Sequence, residues 1–237
     1  MELSPQTEKP LSFNLVLYTT YLLPVICFLI FGKRQFKTSI VLLLVYSIVF
    51  YLLLTFFEDL RDWINQFESL KGLYSNFYTF LEYNFFTSFI FINIASKKVR
   101  TATIYLSIAF VVFQATYFLT SKFKSLDSVG IGVETILLFG YVIYFFYEQF
   151  KKPTNITIYN HACFWVCVGI LIYLGGSFFF YIMADHMTKS EIAQYWNLTY
   201  IGEIIKNILF SYSIFLYARQ NNQNGLNKKI LPNLDMV

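Results

Sequence analysis

Charged side chains are scarce: Asp, Glu, Lys and Arg supply 14% of the 237 residues, against about 25% in an average soluble domain. Histidine is scarcer, with His161 and His186 alone, and proline occurs five times. Only Pro24 falls inside an apolar run, so every other run can form an unbroken helix. The cysteines are Cys27, Cys163 and Cys167, odd in number and all within apolar segments. That excludes a disulfide framework. A net charge of +4 with scattered basic residues excludes a nucleic-acid footprint. The first ten residues, Met1 to Pro10, lack the basic region of a secretory signal. The first apolar stretch is therefore expected to be retained.

What the chain does have is apolar surface. It is 57% hydrophobic, with 28 Phe, 19 Tyr and 3 Trp, and its mean hydropathy is +0.53. A spanning helix needs about 20 mostly apolar residues. Seven runs qualify, over about 13–31, 38–57, 73–95, 101–120, 129–148, 158–182 and 196–217. Ile40-Val41-Leu42-Leu43-Leu44-Val45 is apolar on every face, which excludes the alternation of an outer-membrane barrel. The fold class predicted is all-α, a polytopic seven-transmembrane-helix bundle over residues 1–218, followed by a polar tail at 219–237 that reads as unstructured.

Loop charges set the direction of insertion. Lys33, Arg34, Lys37, Lys97, Lys98, Arg100, Lys151, Lys152, Arg219, Lys228 and Lys229 fall on one side. Lys9, Arg61, Lys71, Lys122, Lys124 and Lys189 fall on the other, which also holds most of the acidic residues. The N-terminus is therefore expected outside and the C-terminus in the cytoplasm. Topology alone carries no function.

Ionisable residues inside a bilayer are costly and often functional. Four stand out: Glu82 in the third run, Glu134 in the fifth, and Glu203 with Lys206 in the seventh. With this topology all four lie in the outer half, Glu82 roughly 14 Å deep at 1.5 Å per residue. Thr199, Glu203, Lys206, Asn207, Phe210 and Ser213 share one helical face. Tyr78, Glu82 and Phe86 form another stripe, and Glu134, Tyr141 and Glu148 a third. The expectation is an aromatic-lined polar pocket, open to the outside, that binds a small-molecule or lipid ligand through Glu82, Glu134, Glu203, Lys206, Asn207, Tyr78 and Tyr141. The same charges could instead neutralise each other and pin three helices together.

Other chemistries lack their residues. No Walker loop, Gly-x-Ser-x-Gly or His-Glu-x-x-His occurs. Lys206 with Glu82 would supply the amine and counter-ion of a retinal Schiff base. However, Thr79 stands where microbial rhodopsins carry Arg, and Trp165-Val166-Cys167-Val168-Gly169 lacks the Tyr and Pro of their sixth helix. His161, Cys163 and Cys167 share one end of a helix without further ligands from elsewhere. No metal or cofactor is expected. Gly175-Gly176-Ser177 is read as a close-packing or bending site.

The chain resembles an abundant, uncharacterised family of seven-helix inner-membrane proteins from Bacteroidetes. The resemblance rests on Leu73-Tyr74-Ser75-Asn76-Phe77-Tyr78-Thr79-Phe80-Leu81-Glu82-Tyr83, Glu134, Tyr147-Glu148, Phe164-Trp165, Gly169 to Gly176, and Ile205-Lys206-Asn207-Ile208-Leu209-Phe210. It implies a multi-pass location in the bacterial inner membrane and supplies no activity. The sequence therefore leads to a sensory or accessory membrane protein with a cytoplasmic or membrane protein partner. Alternatives are an enzyme acting on a lipid-like substrate, with Glu82 or Glu134 as acid or base, and a small-solute or proton-coupled transporter.

Overall fold

The computed structural model describes residues 11–31, 37–60, 67–120, 128–151, 158–184 and 187–230. The loop charges Lys33, Arg34, Arg61, Lys122, Lys124 and Lys152, with the ends 1–10 and 231–237, lie outside the described residues. Among those described there are seven α-helices and no strand. They are α1 (Leu11–Phe31), α2 (Thr38–Asp59), α3 (Glu68–Asn93), α4 (Lys97–Thr120), α5 (Ser128–Lys151), α6 (Ala162–Ala184) and α7 (Lys189–Ile230), with a 3₁₀ turn at Ile158–Asn160 before α6.

Five helices are long and apolar enough to cross a membrane: α2, α4, α5, α6 and, over Thr199–Gln220, α7. In α1 the side chains described supply the shorter apolar stretch Val16–Phe31. In α3 the polar residues Asn76, Thr79, Glu82, Asn84 and Thr87 dilute the hydropathy of a helix that is 26 residues long.

The distribution of side chains is inverted relative to a water-soluble bundle. Leu29, Leu119, Ile136, Phe150 and Phe179 are exposed, while Thr20, Ser47, Thr79, Glu82, Glu134, Glu203, Lys206 and Asn207 are buried. Apolar outside and polar inside suits a lipid solvent, where every polar group must find its partner within the protein.

Six helices close into a ring in the order α1, α2, α3, α5, α6, α7, with α7 returning to α1. The α6–α7 and α1–α7 seams are the most extensive. The fourth helix touches only α3 and α5 among its principal neighbours and stands outside the ring; its buried residues are Thr103, Phe110 and Gln114.

Helix ends depart from the hydropathy boundaries in ways that local chemistry explains. The α4 helix begins at Lys97 rather than 101 because Glu148 of α5 caps the turn before it. Ala95 N donates to Glu148 Oε2 at 2.8 Å and Ser96 N to Glu148 Oε1 at 2.9 Å. Arg100 Nε donates to Ile94 O at 2.7 Å and closes the same turn. The α7 helix begins at Lys189, where Thr188 and Glu191 form a reciprocal capping box. Its polar end, expected to be irregular, continues as helix to Ile230, because a helix already nucleated adds polar residues at little cost.

Close packing at Gly175-Gly176, one of the two roles expected there, is not what the structure shows. A Cβ at Gly176 would meet nothing within 4 Å, and one at Gly175 only the Phe139 ring at 3.7 Å. The close approach lies elsewhere on the α6–α7 seam. A Cβ at Gly169 would stand 3.5 Å from Lys206 Cα, and one at Gly202 3.4 Å from Tyr173 Cα. Those two glycines let α6 and α7 run against each other beside Lys206.

Candidate functional site

The amine of Lys206 has no solvent exposure. Its Nζ pairs with Glu82 Oε1 at 3.4 Å and donates to the Tyr46 hydroxyl at 2.7 Å. Tyr46 in turn donates to Glu82 Oε1 at 3.1 Å, and Tyr173 donates to Glu82 Oε2 at 2.9 Å. Both carboxylate oxygens of Glu82 are thus engaged by groups from three other helices. The ammonium also lies over aromatic faces, 3.5 Å from the Tyr173 ring centre and 5.2, 5.6 and 5.8 Å from those of Tyr46, Phe86 and Tyr21. A desolvated cation gains from such rings, about 2 kcal/mol in favourable cases. Helices α1, α2, α3, α6 and α7 all meet at this one amine.

A second carboxylate adjoins the first. Glu203, one turn before Lys206, accepts a hydrogen bond from the Tyr78 hydroxyl at 3.3 Å through Oε1. Its other oxygen, Oε2, and the nearby Tyr21 hydroxyl each complete no hydrogen bond among the described residues. Asn207 Nδ2 donates to Thr20 Oγ1 at 3.4 Å and ties α7 to α1 below the amine.

The residues singled out from the sequence divide into three groups. Glu82, Glu203, Lys206 and Tyr78 converge directly, and Asn207 borders them. Glu134 is buried on α5 within electrostatic range of Glu82 and Lys206, but it makes no hydrogen bond to either and its Oε1 is unpaired. Tyr141 belongs elsewhere: its hydroxyl meets Tyr83 at 3.2 Å, and Tyr83 meets Ser107 at 2.9 Å, in a separate network joining α3, α4 and α5. The seven-residue spacing puts Glu134 and Tyr141 on one stripe of α5. The two polar residues of that stripe nonetheless have different surroundings.

Packing on the Tyr46 side of the cluster is tight. Among the described residues, the void bordering Tyr46 and Phe86 measures about 10 Å³, no more than a single water requires. Aromatic rings from four helices surround the lysine. Three of those rings are absent from the set that sequence spacing picks out. Tyr21, Tyr46 and Tyr173 sit inside apolar runs rather than near their ends, and membrane tyrosines away from the interfacial belts are the signal that could have found them.

A separate polar region lies toward the end where Lys37, Lys97, Lys98 and Lys151 emerge. Ser39 Oγ and Cys163 Sγ both reach Asn93 Oδ1, at 3.3 and 3.1 Å. Trp165 Nε1 donates to Tyr159 O at 2.8 Å, and Gln220 Nε2 to Asn160 O. Among the described residues, no three His, Cys, Asp or Glu side chains stand close enough to hold a metal ion. No protein-family model, curated protein or solved structure matches this chain.

Proposed function

We propose that this chain is a sensory protein of the bacterial inner membrane whose input is the charge state of the Lys206–Glu82–Glu203 cluster. Seven crossings, with the N-terminus outside and the C-terminus in the cytoplasm, follow from the basic residues gathered at one set of loops. That topology puts the cluster nearer the outer face. The resemblance to inner-membrane proteins of Bacteroidetes supports the same location.

The observation that carries the reading is the Lys206 amine, buried completely and shared by five helices. A bundle held at one ionic node has two arrangements available, because removing either charge leaves the other buried and unpaired. The cluster is built of three ionisable groups buried together, so the input we assign to it is a proton. Neutralising Glu82 or Glu203 weakens the hold of α7 on α1, α2, α3 and α6. The long α7 carries that change to a cytoplasmic or membrane partner.

The test is hydrogen exchange of the protein in nanodiscs at pH 5 and pH 8, corrected for intrinsic exchange rates. Wild type should lose protection in α6 and α7 at one pH relative to the other. The triple variant Glu82→Gln/Glu203→Gln/Lys206→Met should show one profile at both. A pH-independent wild-type profile, or a response that survives in a folded triple variant, would refute the sensor reading.

A further inference from the structure

A polar cavity lies away from the Lys206 cluster, toward the basic end of the bundle. It measures about 290 Å³ and is lined by Lys37, Ser39, Asn93, His161, Cys163 and Ser213, with neighbours from α3, α5 and α7. We propose that it is an anion site for a phosphomonoester group, carried either by a soluble metabolite or by a lipid headgroup.

Four observations support that assignment. First, the lining contains no carboxylate. Glu148, one position before the lining residue Gln149, has both its oxygens taken by the Ala95 and Ser96 amides. Second, the cationic Lys37 and the imidazole of His161 enter the lining from separate segments, one before α2 and one before α6. Third, the first turns of both α2 and α6 border the cavity through Ser39 and Cys163. Two helix N-termini therefore direct their positive dipole ends to one space, an arrangement that favours anions.

The fourth observation points to a ligand by itself. Ser213 is 1% exposed, lines the cavity, and makes no hydrogen bond among the described residues. A buried hydroxyl in a helix usually bonds back to the preceding turn, as Ser211 does to Asn207 O at 2.8 Å. Ser213 is instead available to the cavity. Lys37, His161, Ser213 and the first turns of two helices border one space, a lining rich in donors and free of carboxylates that suits a phosphate oxyanion. The volume lies just below the usual range for small-molecule pockets, about 300–1,000 Å³, so it fits a phosphate-bearing head rather than a whole lipid.

The site is independent of the charge-sensing reading, but both use α7: Ser213 lies two turns beyond Lys206 on the same helix. Its test uses the full chain in a phosphate-free maltoside detergent, titrated calorimetrically with inorganic phosphate at constant ionic strength. Wild type should bind phosphate, and Lys37→Ala/His161→Ala and Ser213→Ala should each weaken binding at least tenfold. The first variant changes residues at the mouth, and the second only removes a hydroxyl, so both should fold. A parallel arm reconstitutes the protein in nanodiscs with phosphatidic acid and counts retained lipid by native mass spectrometry. Free phosphate binding that is lost in the variants assigns a soluble source. Retention of phosphatidic acid by wild type alone assigns a lipid headgroup. Failure of both probes to distinguish wild type from the variants overturns the proposal, as does equal binding of phosphate and uncharged glycerol.

Discussion

Glu82 and Lys206 are 124 residues apart in sequence, yet each exists as a buried charge only because the other does. Replacing Lys206 by Met leaves Glu82 facing Tyr46 and Tyr173 without a cation. Breaking a buried pair from one side costs about 3–5 kcal/mol. The double variant Glu82→Gln/Lys206→Met should recover most of that loss, measured by thermal or denaturant unfolding in nanodiscs. Equal stability of Lys206→Met and wild type would mean the pair carries no structural weight. Tyr173 plays two roles, a hydroxyl on Glu82 at 2.9 Å and a ring under the amine at 3.5 Å. Tyr173→Phe keeps the ring and should cost about 1.5–3 kcal/mol, the usual value for a hydrogen bond to a charged group. Tyr173→Leu should cost more in the same assay, since it also removes the cation–π contact. At this scale the sequence is half legible. A charge in an apolar run stands out, which is how Glu82, Glu203 and Lys206 declare themselves. Tyrosine is too common here, with 19 in the chain, for Tyr21, Tyr46 and Tyr173 to do the same.

Helix ends and seams obey a different logic. Hydropathy marks where the apolar runs stop, and the helices run further because their caps are polar. Thr188-Lys189-Ser190-Glu191 is a readable capping box, but it precedes the apolar run by a turn, where hydropathy gives no sign of it. In that box the Thr188 amide and hydroxyl hold the Glu191 carboxyl below its ordinary value of 4.5. A group with a depressed folded value stabilises above its unfolded value and loses that effect as pH falls through the folded one. Protection of the first turn of α7 should therefore be full at neutral pH and decline below about pH 4.5, the ordinary value. Glu191→Gln should flatten that dependence in hydrogen exchange, and an unchanged decline would assign it to another group. On the α6–α7 seam, Gly202 meets Tyr173 Cα so closely that a large side chain must separate the helices. Overpacking typically costs about 1–3 kcal/mol, and Gly202→Leu should lose that much and also loosen the Tyr173–Glu82 bond. Gly176→Leu, with nothing within 4 Å, should be tolerated in the same unfolding assay.

For the molecule as a whole, the inverted distribution of side chains is written in composition, and its arrangement is not. Runs that are apolar on every face give no sign of which neighbour each helix prefers, so the ring order and the position of α4 outside it emerge only from the tertiary contacts. Direction of insertion is different, because it depends on loop charges that the sequence displays openly. Lys37, Lys97, Lys98, Arg100, Lys151 and Arg219 gather at one end of the described bundle, while Asp59 and Glu191 mark the other. With cytoplasmic retention of Lys and Arg as the driving term, the expected orientation puts Asp59 outside and Ala95 in the cytoplasm. Both positions are exposed, so each can carry a probe. In a background without Cys27, Cys163 and Cys167, Asp59→Cys should react with a membrane-impermeant maleimide in intact spheroplasts. Ala95→Cys should react only after permeabilisation. The reverse pattern would turn the bundle over, moving the Lys206 cluster toward the cytoplasm and the phosphate cavity toward the outside. A soluble phosphomonoester from metabolism could then no longer reach that cavity, so the orientation decides which source of phosphate is chemically available to it.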